Sequence, residues 1–330
     1  MRVANSALRF MMERSEARGL TSRKQSLYDT VTVERYCLIM LNLVLALVGI
    51  FALIVVIGRL LHRYFVYLPD RTRVDPKDAG LQGVEEVVFK AADGTKLIAW
   101  YRPARGAKPT LLYFTGNSGN TASRAGKIKA IAADGYGVFM LNYRRYGGSE
   151  GWPSEPRIAA DAVSAYDYLR GLGVAPHDIV AYGESLGTAV ATRLSLQRHV
   201  EALVLEASFT SIVDVGRLMW KGFPLSLIMA DQYRTIERIG AVKAPLLIIH
   251  GGRDAIIPLD LARRVFRAAS EPKTMAVVPQ AGHNDLFDRG AWERVRGFLD
   301  ALRPVPVVHK VRARGGRRVE IAAAASGEAR

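Results

Sequence analysis

The chain has 330 residues, of which 49% are hydrophobic and 8% aromatic, as expected of a globular protein with one extra apolar segment. Its formal charge of +15 suits an anionic lipid surface or a nucleic acid, but arginine is scattered rather than clustered, and no nucleic-acid recognition motif accompanies it. The single cysteine, Cys37, excludes an internal disulfide framework and a cysteine-based zinc site.

In chain order, residues 1–36 form a polar, arginine-rich tail, flexible or helical. Residues 37–58, CLIMLNLVLALVGIFALIVVIG, carry no charge and only Asn42 as a strongly polar side chain. A helix of that length rises about 30 Å, the thickness of a bilayer's hydrocarbon core, so one transmembrane helix is expected near the N-terminus. Arg35 precedes it and Arg59, His62 and Arg63 follow, with Tyr36, Tyr64 and Tyr67 placed as interfacial aromatics. The flanking positive charges nearly balance, so they assign the catalytic domain to neither side of the membrane. Residues 59–83 read as a linker containing Pro, Asp, Arg and Gly.

The folded domain is expected over residues 84–303. Glu85–Ala91 and Lys96–Arg102 flank Asp93-Gly94, a hairpin signal. Short apolar runs follow at Thr110–Phe114, Gly137–Leu141, Ile179–Tyr182, Ala202–Leu205, Pro245–His250 and Thr274–Val278. Helical patterns fit between and after them at Ser123–Ala133, Ile158–Leu169, Leu186–Gln197, Leu259–Ala269 and Trp292–Leu302. A hairpin followed by strand–helix alternation predicts an α/β fold, with a mostly parallel sheet covered by helices on both faces. Residues 304–330 are basic and rich in small residues, and are expected to be disordered.

Two segments match G-x-S-x-G. Gly183-Glu184-Ser185-Leu186-Gly187 lies directly between the strand run DIVAY and a good helix, the setting in which a serine is thrust out at the top of a sheet. Gly183 and Gly187 are required there because strand and helix approach closely. Gly147-Gly148-Ser149-Glu150-Gly151 runs into Trp152-Pro153, which cannot open the required helix, so Ser149 reads as a loop residue.

A serine nucleophile needs a base and an acid to orient it, and in strand–turn–helix serine enzymes the acid and then the histidine follow in the chain. His283, in the loop PQAGHND after the last strand run, is positioned to reach back over Ser185. His62, His177, His199 and His309 fail on position, and His250 ends a buried strand and reads as structural. Asp254, in HGGRDAIIP after the strand LLIIH, lies at the same sheet edge as the elbow. Asp260 falls inside the next helix, and Asp285 is too near His283 in sequence. The oxyanion donors are expected from the backbone N–H groups of Leu186 and of Asn117, with Ser118 as the alternative in the loop TGNSGN. No phosphate-loop or metal-ligand spacing is present, so no cofactor and no metal are expected.

The segments FTGNSGN, NYRRYGGSEGWPSE, AYGESLGTAVA, LVLEASFTSI, PLLIIHGGRDAIIP and AGHND, in that order, resemble the α/β-hydrolase superfamily over residues 81–302. The resemblance is to its membrane-anchored subgroup, which includes depalmitoylating thioesterases. It implies a serine hydrolase acting on an ester or thioester through an acyl-enzyme, with Ser185, His283 and Asp254 as the triad. A small or lipid-like acyl substrate and membrane lipid are the partners so implied. Amide or peptide hydrolysis by the same triad, and a non-catalytic membrane-tethered scaffold, are the alternatives. The chain departs from that subgroup at Thr115, where His is usual, and at Arg145, where Gly is usual, the latter expected to bring positive charge near the site. Between Ala207 and Lys243, Phe209, Leu218, Met219, Trp220, Phe223, Leu227 and Met229 are expected either to line an acyl pocket or to pack onto the sheet.

Overall fold

The structure is a computed structural model that describes residues 2–303, 308–312 and 318–322. It divides into two compact units, Met1–Leu60 and Leu61–Arg330.

The first unit belongs to one continuous helix, α1 (Arg2–Val66), longer at both ends than the apolar run that marks it in the sequence. Within it the described side chains of 37–58 are almost all exposed, including Leu41, Leu45, Phe51 and Ile57. It is the one helix among the described residues long and apolar enough to cross a membrane. The polar stretch before the run stays helical, with Thr30 and Thr32 turning their hydroxyls back onto the carbonyls of Ser26 and Tyr28.

The second unit begins with the last turn of α1. In chain order it contains β1 (Leu68–Pro69), β2 (Glu85–Lys90), β3 (Lys96–Arg102), β4 (Thr110–Phe114), β5 (Ser118–Gly119), α2 (Ala125–Ala133), β6 (Gly137–Asn142) and α3 (Glu155–Gly171). There follow β7 (Ile179–Glu184), α4 (Leu186–Ser195), β8 (Ala202–Glu206), α5 (Ile212–Met219), α6 (Leu225–Ile228), β9 (Leu246–Gly251), α7 (Leu259–Ala268), β10 (Lys273–Val278) and α8 (Trp292–Leu302). In the tail expected to be disordered, β11 (Val308–Arg312) and β12 (Arg318–Ala322) pair antiparallel. Residues 304–307, 313–317 and 323–330 lie outside the described residues.

The main sheet has the order β10-β9-β8-β7-β4-β6-β3-β2. Only the β2–β3 and β3–β6 pairs are antiparallel; the others are parallel. The β2–β3 hairpin turns at Gly94, which takes a left-handed φ of 82°, while Asp93 Oδ1 accepts the N–H of Thr95. Successive strand residues face opposite ways, and the core divides accordingly. Leu112 and Phe114 of β4 pack with Ala181 of β7 against α3, α4 and α7. Leu111 and Tyr113 pack with Val180 and Tyr182 against α2 and α8. All five residues of β4 are buried, so the strand shows no polar alternation.

The segment 59–83, read as a linker, is fastened into this unit at several points. Val66, Tyr67 and Leu81 are buried, and β1 adds a short parallel pairing with β5. The end of α1 is fastened by one buried carboxylate. Arg63 Nε donates to Asp231 at 2.9 Å, Tyr67 Oη donates to it at 3.1 Å, and the Asp231 N–H donates to His62 Nε2. Burial works against the charge on Asp231, but His62 and Arg63 outweigh it and hold its pKa at about 2. No local pattern marks this fastening, because its partners lie more than 160 residues apart in the chain.

Candidate active site

Four sheet-edge positions converge at the carboxyl ends of parallel strands, where open α/β sheets form crevices. Ser185 follows β7, Asn117 follows β4, Asp254 follows β9 and His283 follows β10. Ser185, Leu186, Asn117 and His283 line a common cavity of about 290 Å³ together with Gly116, Ser118, Arg124, Phe209 and Ile257.

Ser185 sits at φ 51°, ψ −115°, a backbone state that side-chain-bearing residues rarely occupy and that costs about 1–3 kcal/mol. The surroundings over-determine it. Its N–H donates to Glu206 O, and its carbonyl accepts both the N–H and the hydroxyl of Thr188. The two motif glycines answer crowding rather than conformation. A Cβ on Gly183 would stand 2.3 Å from Gly187 O, and one on Gly187 would stand 2.0 Å from Phe114 O. As the N-cap of α4, Ser185 lies where the helix dipole favours developing negative charge.

Asp254 and His283 meet directly. His283 Nδ1 is 2.7 Å from Asp254 Oδ2, and since a carboxylate only accepts, the proton lies on Nδ1 and Nε2 is left as the acceptor. The other oxygen, Oδ1, accepts the N–H groups of Ile256 and Ile257. Burial raises the Asp254 pKa, but the hydrogen bond and charge of His283 outweigh it and keep the carboxyl below the ordinary carboxylate range. Among the described residues no hydrogen bond joins Ser185 to His283, a contact that often tightens only when substrate arrives. His250 donates Nε2–H to Ile257 O and lies 3.5 Å from Asp254, where burial lowers its pKa and favours the neutral ring.

The loop carrying Asn117 is held from outside the cavity. Thr115 O accepts Tyr143 Oη–H, and Asn117 O accepts Tyr146 Oη–H and the Leu68 N–H. The Asn117 side-chain amide donates to Val66 O, at the end of α1. Thr115 is buried and supplies a carbonyl to this support.

The charge expected from Arg145 does not reach the cavity lining. Its guanidinium stacks 3.5 Å above the Trp152 ring, and its φ of 72° explains why glycine suits this position. Cationic charge at the cavity comes instead from Arg124, which motif reading passed over. Arg124 donates to Glu184 and to Ser118 O, while Lys127 bridges Glu184 and Glu206. Tyr113 donates to Glu184, and Tyr182 to Glu206. Burial opposes the charges on Lys127 and Arg124, but Glu206 and Glu184 raise the Lys127 pKa and Glu184 raises that of Arg124, and the two bases in turn overcome burial to hold Glu184 far below its usual value. The sequence carried a faint signal for this network, since carboxylates end two otherwise apolar strands and Arg124 directly precedes a helix bearing Lys127.

The α/β-hydrolase-fold family model matches residues 109–227. An uncharacterized protein of Mycobacterium tuberculosis is 41% identical over 244 residues, covering 72% of this chain and 87% of that protein. The α/β-hydrolase domain-containing protein WAV2 of Arabidopsis thaliana is 32% identical over 247 residues, covering 67% of this chain and 80% of its own. Among solved structures, an esterase of Pyrococcus furiosus superposes with a TM-score of 0.57 at 18% identity, covering 72% of this chain and 97% of its own. The chain belongs to the α/β-hydrolase superfamily.

Proposed function

We propose that this protein is a membrane-anchored serine hydrolase that cleaves an ester or thioester through an acyl-enzyme intermediate. The observation that carries this reading is the Asp254–His283 hydrogen bond beside a cavity whose lining includes His283 and the strained Ser185. Ser185 Oγ attacks the substrate carbonyl as His283 Nε2 takes its proton, and Asp254 stabilises the imidazolium that forms. The backbone N–H groups of Leu186 and Asn117 receive the oxyanion; the Asn117 side chain, already engaged with Val66, is not needed for it. Return of the proton from His283 to the leaving oxygen or sulfur frees the first product, and water repeats the sequence to release the acid.

Phe209, Ile212, Val215, Ile256 and Ile257 give the cavity an apolar side suited to an acyl chain. Esterases among the superposed structures, including an acetyl xylan esterase of Paenibacillus, agree with carbonyl-ester chemistry. The uncharged stretch of α1 supports a single-pass anchor.

The test is labelling of the detergent-solubilised full-length protein with a fluorophosphonate probe. The wild type should label and Ser185→Ala should not. A folded wild type that fails to label would remove the activated serine and with it the reading.

A further inference from the structure

The stretch from α5 to α6 presents an apolar surface that the core does not use. Leu218, Met219, Trp220 and Phe223 are 47%, 78%, 58% and 48% exposed, and Trp220 meets Phe223 edge to face at 6.2 Å. Phe209 and Met229, from the same stretch of sequence, are buried in the core. Single exposed apolar side chains are ordinary, but a cluster with two aromatics marks a contact surface.

Its setting identifies the occupant. Ile212 and Val215 line the cavity beside Ser185, and Met219 continues their i, i+3, i+7 row along α5 into the exposed cluster. No carboxylate occurs from Val215 to Ala230, while Lys221 adjoins Trp220 and Arg217, paired with Asp214, lies one turn before it. Aromatic residues beside lysine and arginine are the composition of a membrane interface. Three residues after α6 comes Asp231, the carboxylate that holds Arg63 and Tyr67. The cluster is thus tied in sequence to the point where α1 enters the core. Gly58, the last residue of the uncharged run, precedes the buried Val66 by eight residues in the sequence.

We infer that the α5–α6 face, centred on Trp220, docks onto the surface of an anionic phospholipid bilayer, and that α5 offers an acyl chain an apolar path from the lipid to Ser185. This rests on the anchored-hydrolase reading above. It adds a second membrane contact, made by the folded domain itself.

The experiment places the full-length protein in vesicles of phosphatidylcholine and phosphatidylglycerol whose acyl chains carry bromine, which quenches tryptophan fluorescence on contact. The four tryptophans are Trp100, Trp152, Trp220 and Trp292, and Trp220→Phe isolates the third. Bromolipid should quench the wild type, and the Trp220→Phe protein should lose at least half of that quenching. Fluorophosphonate labelling of the variant reports that its fold is kept. Equal quenching of wild type and variant overturns the docking surface, including the case where Trp220 is covered by a second copy or another protein. Extraction with alkaline carbonate reports on the anchor separately. Protein that stays in the membrane while Trp220 remains unquenched retains its anchor and loses the docking proposal. Protein that carbonate releases, yet whose Trp220 is quenched before release, docks by this face without a spanning helix.

Discussion

Two stretches of this chain spell G-x-S-x-G and put the same letters to opposite uses. Around Ser185 the glycines make room, since a Cβ on either would collide with backbone oxygen, and neither has a positive φ. Around Ser149 they bend the chain, with Gly147, Gly148 and Gly151 at φ of 50°, 86° and 82°. Ser185 bears the strained backbone itself and borders a cavity. Ser149 is buried, its hydroxyl accepting the Ile98 N–H and donating to Asn142 O, so it stitches β3 to β6. A motif therefore specifies spacing, and the elements on either side decide whether its serine is presented or consumed.

That contrast can be broken by crossed substitutions. Ser185→Ala should reduce kcat by about 10⁴-fold or more while leaving the melting temperature near that of the wild type, measured by ester turnover and calorimetry. Comparable turnover in wild type and variant would place the chemistry elsewhere. Gly187→Ala should be the most destabilising of the glycine changes, costing roughly 3 kcal/mol or more, because the obstructing Phe114 O is backbone of a central strand. Gly151→Ala meets a side-chain methyl at 3.2 Å and a left-handed φ, and should cost about 1–2 kcal/mol. Denaturant unfolding of the pair tests crowding against conformation; an equal or reversed order would refute it.

Ser149→Ala should leave turnover within about twofold and cost about 1–3 kcal/mol, since it strands a buried amide and a buried carbonyl. Asp231 supplies a smaller effect that involves neither serine. Its folded pKa of about 2 lies below the roughly 3.9 of an unfolded aspartate, so its stabilisation is fully present above about pH 4 and is lost as pH falls toward 2. Asp231→Asn should flatten the acid limb of the stability curve by about 3 kcal/mol at most. An unchanged acid limb would show that the carboxylate is not paired as described.

Much of the second unit was legible because its elements are locally consistent. β4 coincides with the apolar run Thr110–Phe114, and the β2–β3 turn falls at Asp93-Gly94. The elbow was legible because strand, glycines and helix adjoin in sequence. The less readable features depend on distant partners. Nothing near Lys127 announces that it bridges carboxylates 57 and 79 residues away. The segment 59–83 looks like a spacer in composition, yet Val66, Tyr67 and Leu81 are buried, which only the contacts of the folded unit reveal. Leu218 and Trp220 are as apolar as Phe209, and composition cannot say that two face outward and one inward.

The hydrogen bond from Asn117 to Val66 has a practical consequence for anyone trimming the protein to a soluble form. A cut at residue 70, or at 84 where the sequence suggests the domain begins, removes Val66 and Tyr67 from the core and takes away the acceptor of the Asn117 amide. It also leaves Asp231 without Arg63 and Tyr67. The smallest honest surrogate for the whole enzyme starts near Leu61, and kinetic constants from anything shorter would describe a loosened loop rather than the native one.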